Sequence, residues 1–97
     1  MIRHVVVFRF QEGCDQQEID GLLAELEELP QRYPALKRWC MGPNLSTRDD
    51  TFTHAFSVEV DTEQELLDYL NSDYHEQFVA SRWRPLIADR AIVSWEC

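Results

Sequence analysis

Residues 2–10, IRHVVVFRF, alternate with a period of two, and the even positions Ile2, His4, Val6, Phe8 and Phe10 carry the bulkier face. That period predicts a strand buried on one side. The segment QEGCD breaks the pattern, and Asp15 followed by Glu18 has the spacing of a capping box, which predicts a helix start. Ile19, Leu22, Leu23, Leu26 and Leu29 then recur at helical spacing and form one apolar stripe, until Pro30 and Pro34 end or bend the helix. A short strand is expected over 36–41, closed by the turn residues Gly42, Pro43 and Asn44. After the polar loop STRDDT, residues 51–60 alternate again, with Phe52, His54, Phe56, Val58 and Val60 on one side. Thr62 and Glu65 repeat the capping spacing ahead of Leu66, Leu67 and Leu70. Ser72 can cap a further helix carrying His75, Phe78, Val79 and Arg82, and Pro85 closes it before the last strand, RAIVSWEC.

The order β-α-β-β-α-β is that of an α+β, ferredoxin-like fold, with helices on one face of a four-stranded antiparallel sheet. The opposite face would present Arg3, Val5, Val7, Arg9, Thr53, Ala55, Ser57 and Glu59, a mixed and partly apolar surface. Such a face needs a cover, and a homodimer stacking two sheets supplies it.

With 97 residues, 44% of them hydrophobic, the chain is expected to form one domain spanning 1–97. It holds no apolar run near the roughly 18 residues of a membrane span. Met1 leads directly into strand-like sequence, so a cytoplasmic protein is expected. A formal net charge of −9 argues against a nucleic-acid partner, because phosphate binding requires a basic face. Cys14, Cys40 and Cys97 are odd in number and widely spaced, which suggests free thiols; Cys40, in a strand, is expected to be buried, and the other two more exposed.

Taken together, IRHVVVFRF, the GPNLS turn, FTHAFSVEV, LLDYLNSDYHEQF and the closing IVSWEC resemble, in order and spacing, the stress-responsive dimeric α/β barrel family over essentially the whole chain. The resemblance implies a homodimer whose two sheets form a barrel with the helices outside. One member type, the plant olivetolic acid cyclase, closes a linear polyketide by aldol condensation without a cofactor, using a His and a Tyr beside an internal pocket. By position, the resemblance assigns that His to His75 and that Tyr to Tyr69, and it matches His4 and His54 to two strand histidines of the same pocket. Asp73-Tyr74 replaces the His-Pro pair that precedes the cyclase histidine, and much of the apolar lining differs, so substrate identity does not carry over.

The residues themselves allow this chemistry. Imidazole moves protons near neutral pH, and a phenol can donate to a developing oxyanion. His4 and His54 share the face under the helices, and His75 starts a helix packing on it, so one pocket bounded by Phe8, Phe56 and Phe78 is expected to hold a small hydrophobic ligand. Each ring equally allows a structural role as a hydrogen-bonded core histidine. No H-x-H or H-x-x-x-H spacing supports a metal, and neither metal nor organic cofactor is expected. Arg82 and Arg84 flank Trp83, either as an anion-facing rim or as a structural pair. The sequence thus points to a cofactor-independent cyclase or lyase acting on a carbonyl or polyketide-like compound. The alternatives are a non-catalytic ligand-binding stress protein and a cofactor-free monooxygenase.

Overall fold

A computed structural model describes all residues, 1–97. Strand β1 (Ile2–Phe10) leads to α1 (Gln16–Glu27), a short α2 (Leu29–Arg32), β2 (Lys37–Pro43), β3 (His54–Val60), α3 (Glu63–Leu70) and α4 (Asp73–Phe78). A π-helical segment, Val79–Trp83, extends α4 before β4 (Ile87–Glu96). The strands form one antiparallel sheet in the order β2-β3-β1-β4. This is the ferredoxin-like arrangement expected from the alternation of elements.

Local chemistry explains the helix starts. Asp15 accepts from the Glu18 N–H at 2.7 Å while Glu18 reaches back to the Asp15 N–H, completing the capping box. Thr62 and Ser72 cap α3 and α4 by accepting from Glu65 and His75. Pro30 bends the chain rather than ending it, because it sits in the first turn of α2, where its missing N–H has no partner to lose. The core lies between helices and sheet: Val6 and Phe8 of β1 and Val58 and Val60 of β3 meet Leu22 and Leu26 of α1.

Strand limits differ from the sequence pattern in ways that hydrogen bonding explains. Strand β2 is displaced to Lys37–Pro43, so Gly42 and Pro43 are paired rather than turning, and Asn44 makes the turn. Its side-chain amide donates to the carbonyls of Asp49 and Phe52. Thr53 lies just outside β3, its N–H donating to the Phe8 carbonyl. Cys40 is exposed, not buried, because β2 is an edge strand and Cys40 lies on its open face; Cys14 is half-buried and Cys97 exposed.

The open sheet face also holds a surprise. Glu59 is only 5% exposed, because Arg3 on β1 and Arg38 on β2 both pair with its carboxylate. Arg38 has φ +52° at the point where the β2–β3 register shifts, and this bulge brings its guanidinium to Glu59 at 2.6 Å. No helix of the chain is long and apolar enough to cross a membrane.

Candidate functional site

Alternation along β1 turns His4 under the helices, where it is buried. Its register partners are Val58 on β3 and Ser94 on β4, and Ser94 supplies a polar neighbour, with its Oγ 2.7 Å from His4 Nδ1. His75 arrives from the opposite side. The Ser72 hydroxyl accepts from the His75 N–H at 3.2 Å and so fixes this residue in the first turn of α4. Tyr69, near the end of α3, is buried and meets the His75 ring edge-on, with centroids 4.8 Å apart. Tyr33 packs against Tyr69 at 5.0 Å, and its hydroxyl lies 2.6 Å from Ser72 Oγ, so the hydroxyl that caps α4 is itself held in place.

His4, Tyr69 and His75 line one cavity of about 180 Å³, walled mainly by Phe56, Phe78 and Trp83. Arg90 and Ile92 of β4, both exposed, form its rim. A dry cavity of about 150 Å³ suffices for a benzene ring, so this one suits a ligand built on a single ring or a short chain.

The protonation states follow from burial. His4 titrates below the ordinary histidine value, chiefly because burial disfavours its cation and secondly because His75 would repel it. His75 is lowered by burial too, although the Leu70 carbonyl and Glu76 partly oppose the shift. Both rings are therefore neutral at pH 7, and a neutral imidazole can accept a proton. Tyr69 is pushed up, first by burial and then by Tyr33, and stays a proton donor. An acceptor and a donor thus share one apolar cavity, which is what proton abstraction with stabilisation of a nearby oxyanion requires.

Of the residues singled out in the sequence, the fold brings together His4, Tyr69, His75, Phe56 and Phe78. His54 and Phe8 do not line the cavity. Phe8 pairs with His54 at the far end of the β1–β3 ladder, and the four-residue step from His4 to Phe8 corresponds to about 13 Å of strand. Phe8 is fully buried, stacked on His54 at 5.6 Å and packed on Trp83 at 5.0 Å, so it backs the cavity wall instead of facing the space. The Nδ1 of His54 is engaged with the Thr53 hydroxyl at 2.8 Å. No pattern in the sequence brings Ser94, Trp83 and Arg90 to the site, because their approach depends on the β1–β4 register and on the path of the π-helical segment. Nowhere in the chain do three or more His, Cys, Asp or Glu side chains converge. Arg82 is tied to Glu25 on α1 and plays no part in the rim.

Residues 2–97 match the family model described as the stress responsive A/B barrel domain. The chain is similar to the hydroxynitrile lyase from Passiflora edulis, at 26% identity over 97% of this chain and 90% of that one, with a TM-score of 0.87. A dimeric ferredoxin-like protein of unknown function from Thermobifida fusca is 25% identical over 99% and 90% of the two chains, with a TM-score of 0.82. A Dabb family protein with a ferredoxin-like fold from Mesorhizobium loti has a TM-score of 0.88 over 99% and 95% of the chains; at 21% identity that likeness speaks to the fold alone. No curated protein matches the chain. A full-length match to the family model, on a sheet and helix arrangement shared with these structures, shows that the chain belongs to the stress-responsive A/B barrel domain family.

Proposed function

We propose that this protein is a cofactor-independent lyase or cyclase that breaks or makes a carbon–carbon bond beside the carbonyl carbon of a small, mostly apolar compound. One observation carries the reading: a neutral His75 and a protonated Tyr69 share, with His4, a cavity of about 180 Å³. In the cleavage direction His75 takes the proton of a substrate hydroxyl, and the oxygen electrons form the carbonyl as the carbon–carbon bond breaks. The departing carbanion then receives the proton from the imidazolium. In the condensing direction His75 takes a proton from the carbon next to a carbonyl, and the enolate attacks a second carbonyl. Tyr69 donates a hydrogen bond to the alkoxide that forms, the imidazolium returns its proton to that oxygen, and His4, held by Ser94, orients the substrate. The likeness to a hydroxynitrile lyase supports a lyase on this scaffold.

The test is turnover of an aromatic cyanohydrin and of a linear polyketide thioester mimic, followed by ultraviolet absorbance. Turnover of either substrate is expected, with a loss on the order of 10²-fold or more in His75→Ala. Binding without turnover in the unaltered protein would instead identify a non-catalytic ligand-binding protein.

The same reading includes a homodimer formed through the open sheet face. Val93 and Trp95 stand 59% and 44% exposed there, beside half-buried Val5 and Val7, and the similar structures from Thermobifida fusca and other bacteria are described as dimeric. Such a contiguous apolar strip is what a stacked second sheet would cover.

A further inference from the structure

The chain's cations are scarce and mostly engaged. Of nine Lys and Arg residues, Arg3, Lys37, Arg38 and Arg82 form ion pairs, and Arg32 lies over the Tyr74 ring. Arg90 has no side-chain partner, yet it lines the cavity that holds His4, Tyr69 and His75. Arg84, equally unpartnered, lines a more polar groove that shares Arg90, Trp83 and Val79 with the cavity. Arg90 therefore puts a free guanidinium on the lining of a largely apolar cavity, with a second one, Arg84, in the adjoining groove, in a chain of formal net charge −9. Asp89 also lines the groove, but one carboxylate oxygen accepts from the Arg90 backbone N–H at 2.8 Å, which directs it to the main chain.

We infer that the site selects a small apolar carboxylate, with its ring or short chain in the cavity and its anionic head against Arg90 at the mouth. This inference rests on the reading of the cavity as a ligand site and adds the charge of the ligand to it. The guanidinium fork presents paired N–H donors that match a carboxylate, and next to an apolar wall the pair is less screened than on an open surface. The cavity volume restricts the apolar part to about one six-membered ring, by comparison with the roughly 150 Å³ that holds benzene. Arg84 adds long-range attraction across the groove, which draws the anion inward against the negative charge of the rest of the surface. A neutral ligand would fill the same apolar space and leave Arg90 unpaired.

The experiment is calorimetric titration of the full chain with phenylacetate and with its neutral isostere phenylacetamide, repeated on Arg90→Gln, Arg90→Lys and Arg9→Gln. Arg9 is exposed on the opposite sheet face and controls for the loss of one positive charge. Phenylacetate is expected to bind the unaltered protein on the order of tenfold more tightly than the amide, which corresponds to about 1.4 kcal/mol. Arg90→Gln should erase the preference without changing amide affinity, Arg90→Lys should keep part of it, and Arg9→Gln should keep all of it. Equal affinity for acid and amide, or a preference that survives in Arg90→Gln, overturns the assignment while leaving the cavity a ligand site. Failure of both compounds to bind overturns the cavity reading and this inference with it.

Discussion

His4 Nδ1 lies 2.7 Å from Ser94 Oγ, a contact between neighbouring strands that gives the one buried histidine its polar partner. The contact fixes the ring orientation and settles which nitrogen is left for the cavity. Ser94→Ala leaves a buried ring nitrogen unpaired, and its expected cost is about 1–2 kcal/mol. Urea unfolding of the variant measures this. A stability unchanged from the parent would mean that His4 finds another partner, and the orienting role given to Ser94 would fall with it.

Tyr69 separates catalysis from stability. Its ring is packed between Tyr33 and His75, but its hydroxyl makes no hydrogen bond within the chain. Tyr69→Phe keeps the packing and should change stability by no more than about 0.5 kcal/mol. If the hydroxyl stabilises an oxyanion, the same substitution lowers kcat on the order of 10²-fold with little change in KM. A large stability loss with unaltered turnover would point to a structural hydroxyl instead.

The depressed histidines make the fold sensitive to acid. His4 and His75 titrate below 6.5 when folded, both mainly because of burial, whereas in the unfolded chain they take protons at about that value. Between the two values the unfolded state holds more protons, so stability rises with pH there. It is complete above the unfolded value and declines as pH falls through the window down to the folded values. His4→Gln should flatten this decline, since Gln can accept from Ser94 without titrating. Thermal melts at stepped pH from 7 downward check it, and a variant with an unchanged acid slope would exclude His4 as the source.

The fold was legible in the sequence because its signals are local: a period of two along β1 and β3, and three polar caps at helix starts. The site was legible only in part. Alternation places His4 and His54 on the same face, but a face runs the length of a strand, and their positions along it depend on inter-strand register, which alternation leaves open. Alternation alone therefore puts His54 in one pocket with His4, whereas in the fold it stacks on Phe8 and lies outside the cavity. Glu59 shows the same limit in another form. Its place on the open face follows from periodicity, but its burial depends on Arg38 arriving through a bulge with positive φ, which no pattern in KRWCMG announces. Arg90 reaches the site from β4, and the β1–β4 pairing that sets its position opposite Phe8 lies about 80 residues apart in the chain.

The open sheet face supplies the last prediction. Arg3 and Arg38 both pair with the Glu59 carboxylate, so a second copy stacked on this face would meet a hydrogen-bonded ion cluster with one excess positive charge rather than a bare carboxylate. The apolar strip of Val5, Val7, Val93 and Trp95 lies beside it. Burying Val93 and Trp95 at such an interface would each contribute about 1–3 kcal/mol. Val93→Glu puts a carboxylate into that strip, and in a chain already at −9 it adds repulsion between copies. The variant should therefore run at the monomer mass of 11.5 kDa in light scattering, with unchanged far-ultraviolet circular dichroism, while the parent runs at twice that mass. A parent that is itself monomeric would overturn the stacked-sheet dimer. A variant that remains dimeric would move the interface to another surface.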